Sequence, residues 1–468
     1  MPTRSPKRGV DVAIVGAGTA GLAAYHAAVA RTASVVLIGQ GPPGTTCART
    51  GCMPSKLLIA AADAAHAARH AGSFGIVSSV EVDGRAVMDR VHKERDRFVS
   101  LAAFETNRIA EENRVHGHAR FASPQVLEVD GRAIEARAVV IATGSSPSVP
   151  PTFDSVRDRV VVSDDVFSWR ALPESVAVFG SGPLGIELGQ ALHRLGVRIR
   201  MFGRDGAVGP LSDPVVRAVA AAALCSEMAF DPDAKVLAVR REGDGVAVHF
   251  EDAAGGPRVE HFARVLVATG RRPSLGGLDL QNAGISLDRD GVPEVDQGTM
   301  QCGSAPVFVA GDVSGGIAVL HEAVNEGRMA GENAARYPDV QVRARGSRLQ
   351  IAFCDPQLAV VGPGFDTLSK DGDFVTGEVS FEDQGRSRIM GLHRGLAHVY
   401  ADRRSGRFLG AEMAAPRAEH LAHLLAWAHQ EKLAIESMVE MPFYHPVVEE
   451  GLRAALRDAS AKRGARRP

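Results

Sequence analysis

An α/β fold built on parallel sheets is what the sequence predicts, and three observations predict it. The first is VDVAIVGAGTAGLAAYHAA, in which an apolar β-branched strand (Val10 to Val15) runs through glycines into an alanine-rich helix, with SVVLIG (Ser34 to Gly39) as the next parallel strand. The second is a return of the same pattern in SVAVFGSGPLGIELGQALHRLG and VRIRMFG, with a strand over Val176 to Phe179. The third is a pair of echoes, VVIATGSSP (Val139 to Pro147) and VLVATGRRP (Val265 to Pro273), each a strand ending in Ala-Thr-Gly and a Pro-containing loop.

The glycines in the two repeats fall at Gly16, Gly18 and Gly21 and at Gly180, Gly182 and Gly185, both in G-x-G-x-x-G spacing. With 50 glycines in the chain one such triplet is weak evidence, but two copies in strand–turn–helix–strand context point to two dinucleotide-binding units. The first glycine makes the tight turn, the second lets the backbone approach a pyrophosphate, and the third lets helix and strand pack closely. The phosphates then lie at a helix N-terminus, where unpaired N–H groups and the dipole favour negative charge. APVFVAGDVSG adds a strand followed by Gly311-Asp312, an acid placed toward the ligand crevice; taken alone, Asp312 is a turn former before Gly-rich chain.

At 468 residues the chain is too long for one core and holds about three domains. From about Arg345 the character changes to antiparallel strands and then helices, ending in MPFYHPVVEEGLRAALRDAS, with AKRGARRP expected as a disordered basic tail. A net charge of -2 gives no footprint for nucleic acid or an anionic membrane. Val12 to Ala30 lacks Asp, Glu, Lys and Arg and could pass for a membrane span, but three glycines interrupt it, so a soluble, untargeted, cytoplasmic protein is expected. Five scattered cysteines do not form a secreted disulfide framework.

Two of the five stand in TTCARTGCMPSK, as Cys47 and Cys52. A structural disulfide, a metal site and a redox pair are the three readings of such a pair. Pro54 suits the first turn of a helix that KLLIAAADAAHAARH continues, so both cysteines lie before or at a helix N-terminus, where a thiolate is stabilised. Four intervening residues can bend to disulfide geometry, although spacing alone does not prove a bond. A metal would need further ligands, and no second Cys or His cluster stands nearby, so none is expected. The redox pair is favoured, and it needs an electron source and a base. Two dinucleotide sites supply the first. His445, in YHPVVEE, is one of 16 histidines, but Pro446 is expected to start the last helix and Glu450 to lie in its first turn, within reach of the ring.

Together these motifs resemble the flavin-dependent pyridine nucleotide-disulfide oxidoreductases, and the dihydrolipoamide dehydrogenases most closely, from about Asp11 to Asp458. The resemblance implies an FAD domain over 1–148, an NAD(P) domain over 149–273, a central domain completing the FAD site over 274–344, and an interface domain over 345–468. It implies a homodimer with FAD and with NAD or NADP, acting on dihydrolipoamide or a lipoyl carrier, without nucleic acid or membrane partners. It assigns Cys47 as the thiol exchanging with substrate and Cys52 as the sulfur nearest the flavin. His445 would be the base, contributed across the dimer with Glu450 as its partner, and Lys56 would pair with Glu187 beside the flavin. Gly16, Gly18, Gly21, Gly39, Gln40, Thr46, His118, Ala119, Ala142, Thr143, Gly144, Asp312 and His321 would hold FAD. Gly180, Gly182, Gly185, Glu187, Gly203, Arg204 and Gly270 would hold the nicotinamide nucleotide. Cys225, Cys302 and Cys354 match no catalytic position and are expected to be structural.

Two departures stand out. Members of the family end the second strand of each unit with an acid for the adenosine ribose; here those positions are Gly39, followed by Gln40, and Gly203, followed by Arg204. Arg204 would suit the 2′-phosphate of NADP or be an exposed cation. The alternatives are an NADPH-dependent reductase of another low-molecular-weight disulfide, like the glutathione reductases, and a flavin-binding redox sensor without turnover. The family's mercuric reductases and large thioredoxin reductases add a C-terminal redox pair that this tail lacks, and soluble transhydrogenases lack the complete Cys47–Cys52 pair.

Overall fold

The computed structural model describes residues 8–252 and 255–464. The chain folds as two compact units, one comprising residues up to Pro54, Val91–Ser148 and Arg271–Arg345, the other Ser55–Arg90, Val149–Gly270 and the chain from Gly346.

In the first unit the strand Arg8–Val15 lies between Val35–Gly39 and Arg132–Ile141, parallel to both, with Val12 opposite Val35 and Ala138. Arg114–His116 extends the sheet beyond Val35–Gly39, Val126–Val129 and Ala119–Ser123 extend it beyond Arg132–Ile141, and Val307–Val309 also pairs with Arg132–Ile141. From Val12 on, alternate residues of the central strand serve opposite faces: Val12 and Ile14 pack with the helices Thr19–Val29 and Leu320–Arg336, while Ala13 and Val15, joined by Val10 from before Asp11, pack with Phe121, Leu127 and Leu278. Both faces are covered, which is why VDVAIV reads as a nearly unbroken apolar run rather than an alternating one.

The second unit repeats the parallel design in the strand order Phe230–Asp231, Arg198–Phe202, Ser175–Phe179, Arg264–Val267, Val160–Val162. An antiparallel layer of Lys235–Glu242, Gly245–Glu251 and Pro257–Phe262 packs on it through Val246, Val248, Phe250 and Phe262. The expected change of character after Arg345 is present: five antiparallel strands, ordered Leu349–Ala352, Gln357–Val361, Phe408–Ala415, Leu396–Asp402 and Phe374–Ser380, are backed by the helices Ala418–Gln430 and Glu450–Gly464.

Two expectations at the C-terminus are corrected. Pro446 does not start the last helix; it sits in a turn in which the Glu450 carboxylate accepts the Val447 N–H at 3.2 Å, and the regular helix begins at Glu450. The basic tail is not disordered from Ala461: the helix runs to Gly464, where Lys462 pairs with Asp458 and Arg463 with Glu436, and residues 465–468 lie outside the described residues. Val12 to Ala30 is strand, turn and helix, and among the described residues no helix is long and apolar enough to cross a membrane.

A buried charged cluster ties the antiparallel domain to the helix Pro214–Glu227. Asp213 caps that helix by accepting from Val215 and Val216 N–H, and its other oxygen accepts the Tyr400 hydroxyl at 2.8 Å and lies 2.7 Å from His398 Nδ1. His398 Nε2 is 2.9 Å from Glu378, so carboxylates face both ring nitrogens and the ring carries both protons. Burial works against that charge, but Asp213 and Glu378 raise the His398 pKa; burial also opposes the Asp213 charge, which His398 and Tyr400 restore, holding it below the ordinary carboxylate range. Because the histidine pKa is raised on folding, its contribution is complete below the unfolded value of about 6.5 and is lost as pH rises through the folded value. Thermal melting followed from pH 6 to 9 is expected to show a falling midpoint in the native chain and a flatter profile in His398→Gln. Equal slopes in the two proteins would rule this account out.

Candidate active site

The cysteine segment is built by two successive helices. Thr45 caps the short helix Thr46–Arg49, its side chain accepting from Ala48 N–H, and Cys52 opens the long helix Cys52–His70. Cys47 is half-buried and Cys52 exposed. Between them the chain folds back so tightly that a Cβ on Gly51 would stand 3.0 Å from Cys47 Cα and 3.1 Å from the Thr46 carbonyl oxygen. Gly51 therefore permits the close return that brings the Cys47 backbone beside the start of the second helix.

One turn into that helix, Lys56 Nζ donates to Glu187 Oε2 at 2.7 Å and lies 4.6 Å from the centre of the Phe353 ring. Glu187 is buried on the helix Pro183–Arg194, which follows the second glycine triplet, and its other oxygen accepts the Phe353 N–H at 2.8 Å. Seven residues farther along both helices (56 to 63, 187 to 194) a second rung has reversed polarity, Asp63 accepting from Arg194 at 2.9 Å. Two ionic rungs of opposite polarity fix the register of the two helices. Arg194, also buried, reaches Glu227 at 2.6 Å and Asp355 at 2.8 Å, while Gln190 bonds both backbone groups of Asp355. Burial, with Arg194 alongside, lowers the pKa of neighbouring His66 to about 4, so this ring is neutral; burial raises that of Asp63.

His445 Nδ1 lies 3.0 Å and 3.2 Å from the two oxygens of Glu450. The hydrogen bond from His445, followed by that from Val447, holds the Glu450 carboxyl below its usual range. A carboxylate on Nδ1 fixes the tautomer and makes Nε2 the basic nitrogen. The His445 side chain is 81% exposed.

The glycine turns have the shape that dinucleotides require. A Cβ on Gly21 would lie 1.7 Å from the Gly16 carbonyl oxygen, and one on Gly16 would lie 2.1 Å from that of Ala142, whereas Gly18 meets nothing within 4 Å. The second turn repeats this: Gly185 would come within 2.0 Å of Gly180 O, Gly180 within 2.4 Å of Ala268 O, and Gly182 and Gly270 are open. Beside the first turn, in Ala142-Thr143-Gly144, the buried Thr143 hydroxyl has no hydrogen-bond partner among the described residues. An orphaned hydroxyl next to an open glycine fits a polar ligand in this cradle.

Asp312 lies in the turn after Val307–Val309, where its carboxylate accepts the Ser145 hydroxyl at 2.8 Å, and Ser145 accepts from Arg271 Nε at 2.8 Å. His321 is exposed in the first turn of the helix Leu320–Arg336, and Ala119 is buried at the head of its strand. At the first departure, Gly39 ends its strand and Gln40 bonds His118. At the second, the structure explains the missing acid: a Cβ on Gly203 would lie 2.6 Å from the Pro232 carbonyl oxygen, so the backbone fills the space a side chain would need. Arg204 beside it is exposed and paired with Asp205 at 3.0 Å, and Asp233 accepts the Asp205 N–H. Cys302 and Cys354 are buried, with burial pushing the Cys302 thiol up to about 12; Cys225 is exposed. Among the described residues no group of three or more His, Cys, Asp and Glu is arranged to hold a metal.

Asp63, Arg194, Phe353, Ser145 and Arg271 carry no signal as single letters. The Lys56–Glu187 pair expected from the resemblance is present, whereas the second rung, Asp63–Arg194 seven residues on, is revealed only by folding.

A chain that pairs a folded-back Cys-x-x-x-x-Cys with two glycine turns and a histidine–glutamate dyad has close counterparts. The family profile described as pyridine nucleotide-disulphide oxidoreductase matches residues 10–327, and that described as its dimerisation domain matches 349–456. A dihydrolipoyl dehydrogenase of Halobacterium salinarum is 30% identical over 96% of both chains, and one of Bacillus subtilis is 28% identical over 96% of this chain and 98% of its own. Among solved structures, LpdA of Mycobacterium tuberculosis superposes with a TM-score of 0.81 at 23% identity, over 96% of this chain and 99% of its own. The HOCl-induced flavoprotein disulfide reductase RclA of Escherichia coli does so with a TM-score of 0.79 at 22% identity, over 96% and 99%. The two parallel-sheet units and the antiparallel C-terminal domain are thus a shared design, and the chain belongs to the pyridine nucleotide-disulphide oxidoreductases.

Proposed function

We propose that this enzyme is an FAD-dependent dihydrolipoamide dehydrogenase that works as a homodimer and uses NAD. The observation that carries this reading is the Lys56–Glu187 pair, because it ties the helix opened by Cys52 to the helix that follows the second glycine turn. When bound, FAD supplies a two-electron link between a dithiol–disulfide couple and the nicotinamide. The remaining roles fall to the chain. Gly16, Gly18 and Gly21 admit the FAD pyrophosphate, with Thr143 and Asp312 offering polar contacts. Arg271 and Ser145 hold the Asp312 carboxylate in place.

Cys47 is the thiol that exchanges with substrate, and Cys52, at the helix N-terminus, is the sulfur that closes the internal disulfide. His445 accepts the proton from the dithiol substrate at Nε2, while Glu450 holds the ring and stabilises its charged form. The exposure of His445 supports its use across the dimer, with the partner's cysteines. The family's dimerisation profile and the relatives called dihydrolipoyl dehydrogenase support the assembly and the substrate. Asp205 and Asp233 near Arg204 oppose a dianionic 2′-phosphate, which favours NAD over NADP. The exposed Arg204 is what favours the second reading, an NADPH-dependent reductase of another small disulfide.

Steady-state oxidation of dihydrolipoamide, with NAD and NADP in parallel, tests the proposal. Turnover is expected with NAD and at least about tenfold weaker with NADP, a difference of about 1.4 kcal/mol. Turnover of glutathione disulfide with NADPH, and none of dihydrolipoamide, would replace this reading with the second.

A further inference from the structure

The strand Val35–Gly39 ends in Gly39, where the family resemblance calls for a carboxylate on the adenosine ribose, and Gln40 follows it. Gln40 Oε1 stands 2.9 Å from His118 Nδ1, and His118 Nε2 stands 3.0 Å from the Gly277 carbonyl oxygen. The approach of Gly277 is so close that a Cβ there would lie 2.6 Å from His118 Nε2. The His118 backbone N–H is drawn toward Asp130 Oδ1 at 3.4 Å. Two chain segments thus converge on one imidazole, and a third holds its backbone.

The hydrogen-bond logic is restrictive. A backbone carbonyl only accepts, so Nε2 carries a proton. In the neutral ring Nδ1 must then accept, and the group able to donate to it is the Gln40 amide NH2, which a half-turn of the amide exchanges with Oε1. That arrangement leaves the Gln40 oxygen as an acceptor held in a fixed direction, the same chemistry a carboxylate offers a ribose hydroxyl. A glutamine on an exposed loop would otherwise lose side-chain entropy on binding, so a residue that immobilises it beforehand strengthens the contact.

We propose that His118 is a positioning residue for FAD: bridged to the Gly277 carbonyl, it orients Gln40 as an uncharged replacement for the missing ribose acid. The inference rests on the reading that the first glycine turn binds FAD. Its consequence is non-additivity, because His118 acts only through Gln40.

The test is a double-mutant cycle on FAD binding to the flavin-free protein, followed by the change in flavin fluorescence, with thermal melting of the same flavin-free proteins as a control. Gln40→Ala and His118→Ala are each expected to weaken FAD about tenfold. The double variant is expected to be no weaker than either, and His118→Asn, which can still bond Gln40, to recover most of the loss. The melting temperatures should stay together. Losses that multiply in the double variant, or a His118→Ala protein that binds FAD as the native chain does, would overturn the inference while leaving FAD binding intact. A native chain that binds no FAD would overturn both.

Discussion

Cys47→Ser is expected to lower dihydrolipoamide oxidation by at least about 10³-fold while leaving the reduction of bound flavin by the nicotinamide nucleotide near its native rate. In the proposed mechanism sulfur is required twice at this position. It must be a good nucleophile near neutral pH, which a serine hydroxyl is not, and it must form the internal disulfide with Cys52, which oxygen cannot do. The fold is expected to survive, because Cys47 is half-buried on a four-residue helix capped by Thr45 and the exchange is close to isosteric. Rapid-mixing reduction by NADH separates the two half-reactions, and one fewer thiol per chain, titrated after reduction and denaturation, confirms the substitution. Native turnover in Cys47→Ser would refute the assignment of this cysteine and leave the helix position without a function.

Arg194→Gln is expected to destabilise the protein by about 3–5 kcal/mol, the range for removing one partner from a buried ion network. Arg194 is 4% exposed and holds Asp63, Glu227 and Asp355 through 2.9, 2.6 and 2.8 Å contacts. Without it, Asp355 keeps Arg394 at 3.5 Å, but Glu227 is left with the uncharged Gln190 amide and with His66 at 3.6 Å. Asp63→Asn should cost far less, because that side chain is 59% exposed and solvent screens its charge. Denaturant unfolding of the two variants gives the comparison. A change below about 1 kcal/mol for Arg194→Gln would show that water, rather than the guanidinium, satisfies these carboxylates.

The family resemblance is strongest where the chemistry tolerates few residue types. Glycine is required at Gly16 and Gly21 because any Cβ would overlap a carbonyl oxygen, so these turns are legible as letters. The cysteine pair, the proline two residues later and the Lys56 that follows are equally legible, as is the dyad of His445 and Glu450 five residues apart. Local arrangements of this kind need only spacing and periodicity. The helix ends are less legible. Pro446 reads as a first turn, yet the Glu450 carboxylate braces the chain after it in a turn outside the helix. The basic tail reads as disordered, yet ion pairs to Asp458 and Glu436 hold its first residues in the helix.

The α/β class, the two glycine turns, the spacing of Cys47 and Cys52 and the His445–Glu450 dyad are readable from the sequence, because each depends on neighbours within one strand–turn–helix unit or one helical turn. Folding alone settles that Arg194 forms a second rung with Asp63 beside the expected Lys56–Glu187 pair, that Pro232 closes the space beside Gly203, and that His118 stands between Gln40 and Gly277. The physical reason is range. A carboxylate or an imidazole can pair with any of dozens of partners in a chain of 468 residues, and only packing, by excluding water and the alternatives, selects one.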